Sequence, residues 1–159
     1  MAEIALAGMA TQSWFDPIAR YCTVITTTFP GVGPRGAVAA LIRLGEGVIR
    51  VVGIHLGLLR GSRRAQLHRL SELLKGDRDI PTVVLRDFNE RSLRIGLGRL
   101  KPSFTIADAG STFHSRRPTF ALDRIAYSSH LTTTCVGTLS AGEARLGSDH
   151  LPVFADSSS

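Results

Sequence analysis

Six polar side chains lie at the ends of short apolar runs: His55 after "VIRVVGI", Asp87 and Asn89 in "VVLRDFNE", Asp123 in "LDRIAY", and Asp149 and His150 in "GSDHLPVFA". Strand ends are where a rigid scaffold hands side chains to loops that can aim them into one cleft. Carboxylates are hard oxygen ligands for a divalent cation. A histidine or a carboxylate can take a proton from water, and N–H donors can steady charge growing on phosphorus-bound oxygens. The set reads as equipment for metal-assisted phosphoester hydrolysis. Singly, each residue also has a structural reading, because Ser-Asp-His and Asp-x-Asn commonly form turns or caps. His68, His114 and His130 lack comparable neighbours and read as surface or loop residues.

The elements that must position these groups are marked by period and punctuation. Residues 3 to 10 read as the last turns of a helix. "YCTVITTT", residues 21 to 28, reads as a strand that stops at "FPGVGP". Residues 37 to 43 and 48 to 55 flank "LGEG" and predict a hairpin whose second strand ends at His55. From Ser62 the period becomes helical, with Leu67, Leu70, Leu73 and Leu74 on one stripe, Ser62 as the cap and Gly76 as the stop. Pro81 opens "TVVL", an apolar run suited to a strand covered on both faces. In "LDRIAY" alternation places Asp123, Ile125 and Tyr127 on one face. "LTTTCVGTL" and the segment after Pro152 predict two further strands, and residues 156 to 159 a polar tail.

With 159 residues, 43% of them hydrophobic, the chain has material for one domain, residues 1–159, around one core. The formal net charge is +6, and most basic residues are arginine, which suits forked hydrogen bonding to phosphate. Between Arg60 and Lys101 eleven basic residues face five acidic ones, a surplus equal to that of the whole chain. The segment is either a phosphate-facing surface or a set of solvated helix and loop faces. Cys22 and Cys135 stand in no metal-ligand spacing and are expected to be buried free thiols, as fits a reducing cytoplasm. The opening residues carry neither a basic leader nor an apolar run long enough to span a bilayer.

Five stretches in one order, "HLGL" with "RRAQLHRLSELL", "PTVVLRDFNE", "STFHSRRPTFALDRIAYS" and "GSDHLPV", resemble the endonuclease/exonuclease/phosphatase (DNase I-like) superfamily over residues 21 to 155. The resemblance implies an α/β (α+β) protein: a four-layer αββα sandwich of two mostly antiparallel sheets. It implies that His55 hydrogen-bonds the scissile phosphate, Asn89 orients it, and Asp87 positions or deprotonates the attacking water. His150 would be the opposite pole, with Asp123 fixing its tautomer, and either Asp87 or His150 would be the base. Asp149 and Asp87 would face Mg²⁺ or Mn²⁺. The implied activity is hydrolysis of a phosphate ester, best a phosphodiester in nucleic acid.

Two departures stand out. The strands that carry the family's asparagine and its metal-binding glutamate have no counterpart, so the chain reads as starting inside the fold, with residues 3 to 10 as the helix after the missing glutamate. Unpaired sheet edges would follow, open to a second copy or a partner chain. Arg86 stands where the family has glycine in "GDFN", at a place where glycine permits close backbone approach or an unusual dihedral. The alternative reading is therefore a catalytically impaired remnant, or an anion-binding module of the same fold.

Overall fold

The structure is a computed structural model that describes residues 3–4, 19–29, 35–76, 78–93 and 96–158. Strands β2 (Ala19–Thr28), β3 (Gly36–Leu44), β4 (Gly47–His55), β5 (Thr82–Asp87), β6 (Phe104–Ala107) and β7 (Asp123–Ser128) form a sheet in the order β2-β3-β4-β5-β7-β6. A second sheet has the order β1-β9-β8, from β1 (Glu3–Ile4), β8 (Thr132–Thr138) and β9 (Val153–Ser158). β4 and β5 run parallel, joined by helix α1 (Arg60–Leu74), and the other pairs are antiparallel. Two mostly antiparallel sheets are thus present, as expected.

Alternation along β4 explains the layering. Val52 and Ile54 pack with Leu67 and Leu70 of α1, Val84 of β5 and Phe88. Ile49 and Val51 turn the other way, with Val83, Ile125, Leu131 and the partly buried Val136, Val153 and Ala155 of the second sheet. A strand buried on both faces needs apolar residues at every position, which is why "TVVL" shows no alternation. The described residues therefore show three layers: helix, six-stranded sheet and three-stranded sheet. The hairpin forms as predicted, with Gly45 at φ 58° supplying the left-handed turn residue.

Several local expectations are corrected. Glu3 and Ile4 form a strand, not a helix, because β9 offers them backbone partners at Asp156 and Ala155. Residues 5 to 10 lie outside the described set. The tail does not begin at residue 156: β9 runs through Ser158, paired with β8. α1 starts at Arg60, two residues before Ser62, and its N-cap Leu59 makes no side-chain capping bond. It ends with Lys75 in the ordinary helical region, without a left-handed Gly76. Leu73 is 45% exposed, since the 100° helical step carries it past the edge of the stripe held by Leu67 and Leu70. Cys135 is a free thiol, but it is exposed on β8, and the side chain of Cys22 is outside the described set. At the β2 end of the large sheet, Val24 and Ile25 are exposed.

Candidate active site

Strand register places the predicted residues in a row. His55 is the parallel partner of Asp87, and Asp87 is the antiparallel partner of Asp123. Counting by twos from Ile49 and Val51, from Val83 and from Ile125, all three side chains belong to the face turned toward the second sheet. Gly36 continues the row as the partner of His55, which brings Arg35 beside it. The backbone ladder runs one step further, from Leu56 N–H to Asp87 O (3.0 Å) and from Phe88 N–H to Leu122 O (3.0 Å).

Hydrogen bonds lock the row. Asn89, at φ 49°, turns the chain so that its N–H donates to Asp87 Oδ1 (2.8 Å). Its Nδ2 donates to Asp87 Oδ2 (2.9 Å) and to Leu56 O (2.9 Å). His150 precedes β9 and donates from Nδ1 to Asp123 Oδ2 at 2.6 Å, and its Nε2 has no hydrogen-bond partner among the described residues. Residues 112 to 120 brace this pair. Thr112 Oγ1 accepts from Asp123 N–H (3.2 Å), Leu151 N–H donates to Thr112 O (2.9 Å), and the Phe113 ring lies against His150 with centroids 5.0 Å apart. His55 Nε2 lies 3.4 Å from Asp87 Oδ2 and accepts from Arg35 Nη1, which puts the proton of the neutral ring on Nδ1.

The two imidazoles are tuned in opposite directions. Burial and the charge of Arg35 push His55 below the ordinary 6.5, against the pull of Asp87, and Arg86 and His150 add to the depression. Burial alone would lower His150 as well. The Asp123 hydrogen bond and the charges of Asp123, Asp87 and Asp149 outweigh it and hold that ring above 6.5. Burial raises Asp87 above the ordinary 3.8, offset in part by the Asn89 N–H, while the charge of Asp123 raises it further. Asp87 and His150, both raised toward neutral pH in one cluster, are suited to proton transfer.

Solved structures share this arrangement of strands. An endonuclease/exonuclease/phosphatase family protein from Bacteroides thetaiotaomicron superimposes with a TM-score of 0.73 at 14% identity, over 87% of this chain and 65% of that one. The mannosyl-6-phosphatase of Bacteroides thetaiotaomicron gives 0.72 at 16% identity, over 88% and 67%. TDP2 of D. rerio, complexed with a single strand DNA product, gives 0.69 at 14% identity, over 89% and 69%. This chain has the endonuclease/exonuclease/phosphatase fold. It spans about two thirds of the length of these structures. Neither a family model nor a curated protein matches the sequence.

In this endonuclease/exonuclease/phosphatase fold, the glycine expected before "DFN" is Arg86 at φ 98°, a region that L residues enter only under strain. The unusual dihedral foreseen for that position is therefore real, and an exposed arginine occupies it. A second cationic group, Arg35, holds a buried Nε with no hydrogen-bond partner among the described residues. Sequence reading missed Arg35, since only the Gly36–His55 pairing brings it to the row. Thr112 and Phe113 were missed too, although they lie within a quoted stretch.

Among the described residues no three His, Cys, Asp or Glu side chains gather as a metal cluster. Mg²⁺, however, is commonly held through water by one or two carboxylates plus substrate phosphate. Asp149 is exposed, with its backbone carbonyl tied to Ser115 N–H (2.7 Å), and Asp87 keeps unused lone pairs. In donor chemistry the two fit a hydrated divalent ion. Glu90, adjacent to Asn89, is committed elsewhere, to Arg63 at 3.1 Å.

Proposed function

We propose that the row is the active site of a metal-dependent phosphodiesterase acting on nucleic acid. The observation that carries this reading is the side-by-side register of His55, Asp87 and Asp123, closed by the His150–Asp123 hydrogen bond. His150 is the general base: with Nδ1 held by Asp123, its Nε2 takes a proton from water, and the imidazolium that forms is stabilised by the three carboxylates around it. The water oxygen bonds to phosphorus, the ester P–O bond breaks, and the departing oxygen is protonated from solvent. Asp87, held at both oxygens by Asn89, orients the water. Arg35 and neutral His55 face the charge that grows on the phosphoryl oxygens, and the charge of Arg86 reaches the row from the neighbouring register position. Asp149 and Asp87 would hold Mg²⁺ or Mn²⁺, which would supply Lewis-acid polarisation of a phosphoryl oxygen.

The similar structures named as a mannosyl-6-phosphatase and as a complex with DNA product support phosphate-ester chemistry as the substrate class. The test is Mg²⁺-dependent hydrolysis of bis(p-nitrophenyl) phosphate and of plasmid DNA, with His150→Ala and EDTA as controls. Hydrolysis should fall by about 10²- to 10⁴-fold in the variant, the usual worth of a general base, and to background with EDTA. Equal rates in wild type and variant would remove the assignment.

A further inference from the structure

The first turns of α1 and the short 3-10 helix Leu97–Arg99 border an open cavity of about 320 Å³ outside the catalytic row, lined by Arg60, Arg63, Arg64 and Arg99 with Glu90 and Gly96. One wall is built from inside. The buried Glu90 carboxylate accepts from Arg63 Nε (3.2 Å) and Nη2 (3.1 Å) and from Ser92 N–H (2.9 Å). Gly96 leaves room for this carboxylate, since a Cβ there would lie 2.1 Å from Glu90 Cγ. Arg63 is therefore neutralised. Arg60, Arg64 and Arg99 are exposed and have no hydrogen-bond or ion-pair partner among the described residues.

Folding gives no reason for this placement. Arg60 and Arg64 stand four apart on the helix, a like-charge pair that opposes helix formation. All the cations of the first turns lie at the positive end of the helix dipole, where acidic residues are favoured and none is present. An anion in the cavity would reverse the sign of both terms.

The cavity is tied to the catalytic row by one segment. Asn89 Nδ2 holds Leu56 O, while Arg63 Nη1 donates to Gly57 O (3.3 Å) and to Leu58 O. His55 and Arg60 are five residues apart, so at most roughly 18 Å separates their Cα atoms. One strand can therefore place neighbouring phosphates at both ends. Between the two lie Leu58 and Leu59, 70% and 66% exposed, which offer apolar surface to base faces and nothing to sugar hydroxyls.

We propose that this arginine cavity is a phosphate subsite for a single-stranded polynucleotide, holding a phosphate that flanks the one at His55. The assignment of the flanking role rests on the reading of the row as the phosphodiesterase centre. The test compares wild type with Arg60→Ala/Arg64→Ala/Arg99→Ala, whose changed side chains are exposed, using anisotropy of fluorescent poly(dT) without metal and hydrolysis of bis(p-nitrophenyl) phosphate, after circular dichroism confirms the fold. Poly(dT) should bind at least about tenfold more weakly, and the slope of log K against log salt should shrink by about two, three contacts being lost at roughly 0.7 each. Hydrolysis of the small diester should stay within about twofold, as the arginines lie outside the catalytic row. Unchanged poly(dT) affinity, or no affinity in the wild type, would overturn the subsite. So would equal loss of poly(dT) binding and small-diester hydrolysis, which would place the arginines at the scissile phosphate. Arginine-dependent poly(dT) binding by a protein that hydrolyses no diester would support the subsite and remove the catalytic reading.

Discussion

The two histidines of the row differ in how they are held. His150 has its Nδ1 on a buried carboxylate, that carboxylate's backbone on Thr112, and an aromatic ring against its face. His55 leans on a guanidinium whose Nε has no partner among the described residues, one position along from the strained Arg86 in the register with β5. One side is satisfied and anionic. The other is cationic and incompletely satisfied, the condition expected of a surface that awaits phosphate oxygens. Burial lowers both imidazoles, and that division of charge then deepens the depression of His55 and reverses that of His150.

Variants on each side probe this division of charge. The largest effect is expected for Asp87→Ala, which removes the carboxylate shared between the sides: hydrolysis of bis(p-nitrophenyl) phosphate should fall by about 10²-fold or more, and a rate within twofold of wild type would take Asp87 out of the chemistry. Glu90→Ala leaves the largely buried guanidinium of Arg63 without its partner, and urea unfolding should show a loss of about 2–3 kcal/mol, below the range for fully buried pairs because some solvent reaches it. Thr112→Val deletes the acceptor for Asp123 and Leu122 N–H, with an expected loss of about 1–2 kcal/mol in the same assay and a lower His150 pKa by NMR titration. Arg86→Gly relieves the φ strain, partly offset by glycine's greater unfolded-state entropy. It should raise stability by about 1 kcal/mol and Tm by a few degrees, while slowing hydrolysis. A faster variant would show that Arg86 obstructs the site.

The sequence made the row legible because His55, Asp87, Asp123 and His150 each sit where a periodic apolar run meets a loop, and strand ends are set by the core. The hairpin and the central strand were legible for the same reason. What escaped depended on partners remote in sequence. Arg35 reaches the site only through the register of β3 on β4, and Thr112 has no periodicity of its own. The strand at Glu3–Ile4 and the extension of β9 through Ser158 are pairing decisions that override local composition. The exposure of Cys135 was hidden because a Thr-rich strand on the outer sheet resembles a buried one in composition. Only the charge surplus was legible in the basic segment, and its gathering of Arg60, Arg64 and Arg99 around one cavity requires α1 to pack beside the 3-10 helix.

The most direct measurement is the pH–rate profile of bis(p-nitrophenyl) phosphate hydrolysis for wild type and Asp123→Asn. A base must be deprotonated to act, so with His150 held above 6.5 the wild-type rate should climb through a limb above 6.5 and level off at higher pH. Asp123→Asn removes the hydrogen bond and charge that oppose burial, so the limb should move to lower pH while the plateau rate falls severalfold or more. A limb that stays in place in Asp123→Asn would contradict the account.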